Sequence, residues 1–246
     1  MNKMSTLVKI TLTLTIFLFG ISESNAQWGN KKVVGSGNIT TKTVSTPSYD
    51  KIKAVGSMDV HLEHGNEGTI TITTDDNLQE YIMIEVENDV LTLRTKKNVN
   101  LKTKKGIHIS VPFQDISAVS LVGSGDIDTK DTINGEALEV TVTGSGDVIL
   151  DLVSITIDAK ITGSGDMTLS GTVKDFEVKL SGSGDFKGSD LKAENTQAYV
   201  SGSGDAAVYA SNSLKARVNG SGDIKYSGNP NTSDTKVLGS GSISSN

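Results

Sequence analysis

The stretch LEVTVTGSGDVILDLVSITIDAKITGSGDM, residues 138–167, decides the architecture. It carries two Gly-Ser-Gly-Asp tetrads, beginning at Gly144 and Gly163, and apolar residues alternate with polar ones on both sides of each. Val140 and Val142 lead into the first tetrad and Val148 follows it; Ala159, Ile161 and Met167 repeat the arrangement around the second. Alternation with a period of two marks half-buried strands, and a glycine-rich tetrad between two such runs marks a tight corner.

The same unit recurs along the chain. Gly-Ser-Gly followed by Asp, Asn or Ser begins at Gly35, Gly123, Gly144, Gly163, Gly182, Gly202, Gly220 and Gly239, and a degraded Gly-Ser-Met-Asp copy begins at Gly56. From Gly123 onward the steps are 21, 19, 19, 20, 18 and 19 residues. Eight intact copies with two glycines each, and one degraded copy with one, hold 17 of the 26 glycines, so glycine is positional and does not mark a linker. Two residues before each first glycine and four residues after it, every position is apolar, from Val33 and Ile39 to Val237 and Ile243.

A strand pair this short cannot bury its apolar face without neighbours, so successive repeats must stack. Repeats of about 19 residues are too short for a propeller blade, and they lack the leucine pattern of a leucine-rich horseshoe. One turn of a parallel β-helix fits, with each coil rising about 4.8 Å to the next. The core is then a narrow column of Val, Ile, Leu and Ala with a few Phe and Met, which suits a chain with only 4% aromatic residues. The fold class is all-β, a β-solenoid.

Outward from the repeats the pattern loosens. Gly56 and Gly123 stand 67 residues apart, leaving room for about three coils without the corner motif. Alternating runs persist at Thr69–Thr73, Tyr81–Val86, Leu91–Thr95 and Ile107–Val111, and Asn88-Asp89 reads as a hairpin or tight turn. Residues 57–122 are therefore expected to form irregular β coils continuous with the regular stack at 123–246. Helix signals are nearly absent, Asp76–Tyr81 being good for one turn at most.

The start of the chain has the anatomy of an export signal: Lys3 and Lys9, an apolar stretch from Ile10 to Ile21, and Ser24-Asn25-Ala26 before a cut at Gln27. The apolar stretch is shorter than the roughly 18–20 residues a membrane span needs. A mature chain of 27–246 is expected, with no later span, in the periplasm, on the outer-membrane surface or outside the cell. Without cysteine there is no lipobox attachment, disulfide, thiolate nucleophile or Cys metal site. The formal charge of −6 argues against a nucleic-acid partner, which requires a basic surface.

Asp126, Asp147, Asp166, Asp185, Asp205 and Asp223 close successive corners and are the candidate binding residues. In register they form a column of carboxylates repelling one another by about 1 kcal/mol per neighbour in water. Two readings account for such a column. Calcium between coils would offset the charge, since Ca²⁺ takes oxygen ligands; alternatively, each Asp accepts hydrogen bonds from its own corner's N–H groups, as Asx turns do. The second is preferred, and no metal or cofactor is assigned.

Two further charge patterns stand out. Five residues before the tetrads lie Glu139, Asp158, Glu177 and Asp234, and three before lie Lys160, Lys179, Arg217 and Lys236. These are expected as acidic and basic columns side by side on a solvated face. Arg94–Lys105 holds six basic groups and Asp75–Asp89 upstream holds six acids, which are expected to neutralise each other. His61, His64 and His108 carry no flanking ligand motif and are expected on the surface. No nucleophile elbow, phosphate loop or dinucleotide fingerprint occurs in a strand–helix context.

Read together, Trp28 through Val34-Gly35-Ser36-Gly37-Asn38, Tyr49-Asp50-Lys51-Ile52, Gly56-Ser57-Met58-Asp59-Val60, Asp76-Asn77-Leu78, Tyr81-Ile82 and Glu85-Val86-Glu87-Asn88 resemble the bacterial head-GIN-domain family, whose label is "putative auto-transporter adhesin". The likeness covers essentially all of 27–246. It implies an exported, single-stranded, right-handed β-helix of the kind found in Bacteroidetes envelopes, and it brings no catalytic residues. Asp89 stands where members carry Gly after the Asn.

Function follows at a coarser level than fold. The leading expectation is a non-enzymatic envelope or surface protein binding a glycan or a protein along a rigid β-helix face. A polysaccharide lyase or hydrolase is the alternative from another class, since β-helices host such enzymes, and a purely structural envelope protein is the third. Because the last coil carries no cap after Ile243, weak self-association through that strand edge is expected.

Overall fold

In the computed structural model, which describes residues 31–246, strands begin where the alternation begins. The chain runs through β1 (Lys31–Val34), β2 (Ile39–Ser45), β3 (Lys51–Gly56), β4 (Asp59–His64) and β5 (Thr69–Asp75), then a 3-10 helix (Asp76–Tyr81). There follow β6 (Ile82–Glu87), β7 (Val90–Thr95), β8 (Val99–Lys102), β9 (His108–Phe113), β10 (Ala118–Gly123) and β11 (Ile127–Thr129). The regular half comprises β12 (Ile133–Gly144), β13 (Val148–Gly163), β14 (Met167–Gly182), β15 (Phe186–Lys187), β16 (Leu191–Gly202), β17 (Ala206–Tyr209), β18 (Ser213–Gly220), β19 (Ile224–Ser227), β20 (Thr232–Gly239) and β21 (Ile243–Ser245). The expected export signal at 1–26, and Trp28, lie outside the described residues.

From β10 to β21 every pairing between coils is parallel and in register, so Gly123, Gly144, Gly163, Gly182, Gly202, Gly220 and Gly239 form one column. The molecule is an all-β solenoid of stacked parallel coils of about 19 residues, about seven turns in all. Apolar positions fall into columns because the register is fixed. Leu121, Val142, Ile161, Leu180, Val200 and Val218 stack before the corners, and Ile127, Val148, Met167, Phe186, Ala206 and Ile224 stack after them. All twelve are 2% exposed or less, and burial of each large member contributes about 1.5–3 kcal/mol.

The corner shows why glycine occupies both places. Gly144 has φ +128°, which a side chain rarely tolerates. Gly146 has no positive φ, but a Cβ there would lie 1.9 Å from the carbonyl oxygen of Gly125 on the coil below. Backbone of one corner sits directly on backbone of the next. The N–H groups of Ser145 and Gly146 both donate to Gly123 O, at 2.8 and 3.1 Å, and the same pair of bonds repeats at each later corner. The second glycine is thus required by the approach of the coils, a constraint that φ does not report.

Two stretches depart from the simple stack. The Gly35 tetrad makes no coil corner. Its Gly37 N–H donates to Asp75 Oδ1 (2.6 Å), Ser36 Oγ donates to Asp76 Oδ1 (2.5 Å), and Asn38 Nδ2 donates to Asp76 Oδ2 (2.9 Å). These bonds tie the loop to the start of the 3-10 helix and hold both carboxyls below their ordinary pKa; Thr103 and Ser36 are the largest influences on Asp75 and Asp76 respectively. Between Gly56 and Gly123, coil order also departs from chain order. β3 and β4 form a rung that lies under β10 and β11, while β7 and β9, later in sequence, pair parallel to the other edge of that rung. Where the spacing leaves room for about three consecutive coils, the chain builds one rung and an antiparallel cover: β6 on β7, β5 on β9 and β2 on β5. An open β-helix end exposes unpaired N–H and C=O groups, and antiparallel strands satisfy them while closing the core. Asn88 (φ 51°) and Asp89 (φ 62°) make the tight β6–β7 turn, with both central residues left-handed.

Candidate functional site

The six corner aspartates do form a column, but their hydrogen bonds run between coils. Asp126 Oδ1 accepts from the N–H of Asp147 at 3.0 Å, Asp147 from Asp166, Asp166 from Asp185 and Asp185 from Asp205, each at 2.9 Å, and Asp205 from Asp223 at 2.8 Å. Asp223 ends the ladder on the N–H and hydroxyl of Ser242, at 2.7 and 2.9 Å. Each carboxylate therefore meets a peptide dipole from the coil above, where bonding within its own corner was expected, and that dipole offsets the repulsion between neighbours. Lys187 adds a cation 2.7 Å from Asp166. Burial tends to raise the Asp166 carboxyl, yet Lys187 and the Asp185 amide outweigh it and hold its pKa below the ordinary value. Among the described residues, no group of three or more His, Asp or Glu side chains is placed to hold a metal ion.

A second feature runs along the whole regular stack. The ladder between coils skips one residue, Glu136, Ile155, Lys174 or Glu194, with the same register on either side, and the tripeptide that follows each lines a groove of about 910 Å³. The rungs contribute Ala137-Leu138-Glu139, Thr156-Ile157-Asp158, Asp175-Phe176-Glu177, Asn195-Thr196-Gln197, Ser213-Leu214-Lys215 and Thr232-Ser233-Asp234, with Ser117, Ala118 and Lys51 continuing it at the first end. Because strand alternation sends the central residue inward, Leu138, Ile157, Phe176, Thr196 and Leu214 form the floor, each less than 5% exposed. Their flanking residues point outward as two walls. At about 4.8 Å per rung, the groove is about 30 Å long.

Charge in the groove is arranged by column. Glu139, Asp158, Glu177, Gln197, Lys215 and Asp234 stack along one wall, and the register places Lys160, Lys179, Arg217 and Lys236 two residues further out. Lys179 pairs with Glu177 and Arg217 with Asp234, across the boundary between the two columns. Arg217 holds the Asp234 carboxyl below its ordinary pKa, and Glu177 pushes the Lys179 ammonium up. The opposite wall is amide, hydroxyl and carboxyl: Asn195 Nδ2 donates to Asp175 Oδ1, and Ser213 Oγ donates to Asn195 Oδ1, both at 2.8 Å. The expected acidic and basic columns are present. That the acidic column forms one wall of a groove was not legible, since the skipped positions Glu136, Ile155 and Lys174 share no residue type.

Two smaller constellations lie in the N-terminal half. Arg94 pairs with Glu85 at 3.0 Å across the β6–β7 hairpin, and Lys96 lies 5.4 Å over the Tyr81 ring, so part of the basic stretch is answered by the acidic one. His61 and His108 meet although 47 residues separate them: their Nε2 and Nδ1 atoms are 3.3 Å apart. His61 Nδ1 is 2.8 Å from Asp128 Oδ2, and Lys105 O accepts from His108 Nε2 at 2.9 Å. No spacing rule finds this pair, because β9 reaches β4 only through the inverted coil order.

A family model described as "Putative auto-transporter adhesin, head GIN domain" matches residues 48–230. A search of curated proteins returns no match. Among solved structures, a "putative adhesin" from Bacteroides fragilis is similar over 87% of this chain and 100% of its own, with 23% identity and a TM-score of 0.80. A "putative lipid binding protein" from Parabacteroides distasonis is 27% identical over 88% of this chain and 100% of its own, TM-score 0.73. A "putative adhesin" from Parabacteroides merdae is 21% identical over 88% and 99%, TM-score 0.70.

Proposed function

The chain belongs to the head GIN domain family, and from that premise we propose that it is an exported, non-enzymatic adhesin of the cell envelope that holds an extended macromolecular chain, glycan or protein, in the axial groove. The observation that carries the reading is the groove itself. Five successive rungs, from Leu138 to Leu214, each set a buried central residue between two outward-facing ones, so the groove presents a row of similar contacts. Its length and the ladder of outward hydroxyl, amide and carboxyl groups suit a linear partner that spans several coils. Among the described residues no helix is long and apolar enough to cross a membrane, and the export-signal pattern at residues 1–26 supports a location beyond the inner membrane.

The test is attachment of the mature chain to bacterial or host surfaces, compared with a variant whose groove is filled midway, Thr156→Trp. Thr156 is an exposed wall residue, so the variant is expected to fold with an unchanged melting temperature and to lose most of its attachment. Attachment that is indifferent to Thr156→Trp rejects the groove as the binding surface.

One observation favours a carbohydrate-cleaving enzyme. Glu139, Asp158 and Glu177 occupy successive rungs about 4.8 Å apart, near the carboxyl separation of retaining glycosidases. Release of reducing ends from oligosaccharides by the wild-type chain, abolished in Asp158→Asn, is the result that establishes it.

A further inference from the structure

The axial groove has a chemistry narrower than "glycan or protein". We propose that its occupant is an uncharged glycan lying parallel to the solenoid axis, one sugar residue per rung. This inference rests on the groove being the binding surface.

Three observations select that class. The first is the state of the backbone. Across the groove-lining tripeptides, successive rungs are joined by parallel pairing, from β12 through β20. An extended peptide gains most of its affinity for a sheet by pairing its main chain with a free edge, and no such edge opens into the groove. Recognition there falls to side chains, and those chains are carboxylates, amides and hydroxyls: Asp158, Asp175, Asn195, Gln197 and Ser213 among them. A carboxylate accepts and an amide both donates and accepts, which is the complement of a chain of hydroxyl groups.

The second is the cross-section. A pyranose ring has two C–H-rich faces and a rim of hydroxyls. The groove offers a floor that is apolar at Leu138, Ile157, Phe176 and Leu214 and interrupted by Thr196 and Ser233, between two polar walls. The rung spacing of about 4.8 Å is close to the length one sugar adds to an extended glycan, so successive rings step from one rung to the next.

The third is charge. Five carboxylates line the groove, Glu139, Asp158, Asp175, Glu177 and Asp234, against Lys51 and Lys215. A uronate or sulfated polymer would lay like charges along that wall at close range. A polycation is not selected either, because the column Lys160, Lys179, Arg217 and Lys236 runs beside the carboxylates. Glu177 and Asp234 are already paired with Lys179 and Arg217, and this fixes them as oriented acceptors for hydroxyl hydrogen atoms.

The experiment is an array of linear oligosaccharides of defined length in uncharged, amino-substituted and uronate forms, with a lysine-rich peptide as competitor, probed with wild type, Thr156→Trp, Asp158→Lys and Lys160→Ala. The expected result is binding to uncharged oligomers that strengthens several-fold with each added sugar until the oligomer spans the groove. Uronate forms bind at least tenfold more weakly, and the peptide does not compete. Thr156→Trp and Asp158→Lys lose binding at unchanged melting temperature, while Lys160→Ala, on the outer column, retains it. Preference for uronates, displacement by the peptide, affinity that stops rising at two sugars, or no uncharged binder at all overturns the proposal. If cell attachment is lost in Thr156→Trp while no uncharged sugar binds, the groove reading survives and the glycan assignment falls. Attachment unaffected by Thr156→Trp sinks the groove reading first.

Discussion

At the scale of single residues, the tetrad divides its labour. Its second glycine is the position least open to change: a Cβ at Gly146 would meet Gly125 O at 1.9 Å, an approach that only separation of two coils relieves. Gly146→Ala is expected to destabilise by about 3 kcal/mol or more, read as a lower denaturant midpoint or loss of soluble protein. The aspartate is more forgiving. Asp185→Asn keeps the oxygen that accepts the Asp205 N–H and removes one charge from the column, so its melting temperature is expected to match wild type, whereas Asp185→Ala loses a bond worth about 1 kcal/mol. With these oxygens engaged by amides, millimolar Ca²⁺ is expected to leave the melting temperature unchanged; a rise of several degrees, reversed by EDTA, contradicts that. The Asp166–Lys187 pair sets a pH dependence. The lowered Asp166 carboxyl stabilises the fold above its unfolded pKa of about 3.9, and that stability is lost as pH falls through the lower folded value. The raised Lys187 ammonium, drawn up chiefly by its hydrogen bond to Asp166, stabilises below about 10.4 and loses its contribution as pH rises through the higher folded value. Lys187→Ala is therefore expected to shrink both the acid and the alkaline limb of a melting-temperature profile. The glycine columns were legible in the sequence, as was the carboxylate column. The partner of each carboxylate was not, because spacing within a corner says nothing about the coil above it.

Among the elements, the β6–β7 hairpin carries an avoidable strain. Asp89 adopts φ 62° in a two-residue turn, a conformation glycine takes at no steric cost. Asp89→Gly is expected to raise the melting temperature by about 2–4 °C, equivalent to about 1 kcal/mol in a chain of this size. No change, or a fall, means that the Asp89 carbonyl's bonds from Asp50 and Lys51, at 2.9 and 3.0 Å, depend on a stiff turn. Alternation located these strands well, since β7 (Val90–Thr95) lies within a residue of the run Leu91–Thr95. What alternation cannot report is direction. A strand that pairs antiparallel as a cover and one that pairs parallel as a coil show the same period of two, and so β5 and β6 are indistinguishable in sequence from members of the stack. The Gly35 tetrad is misleading for a related reason. Its residues match the repeat, but the chain that follows is β2, which turns onto β5 and places Ile39 at 38% exposure, whereas the equivalent residue of each regular coil through β19 is buried.

For the molecule as a whole, the two ends are unequal. One is closed by the antiparallel cover. At the other, β20 is exposed along its entire length, with Val237 and Leu238 open to solvent and, among the described residues, a partner strand on one edge only. Two copies meeting edge to edge about Thr235 would set Asp234 of each against Lys236 of the other. Sedimentation at increasing concentration is expected to show a weak dimer that Val237→Lys abolishes; a single monomeric species throughout refutes it. The inverted order of the first rungs has a different consequence. Everything that depends on β3 and β4 being sandwiched is complete once residue 129 has been placed, and each later turn then needs only the finished surface beneath it. The barrier to assembly is therefore expected in the first half, with growth beyond it templated one layer at a time. Evolution is thereby free to duplicate or delete entire layers, altering the reach of the molecule without disturbing the seed from which it grows.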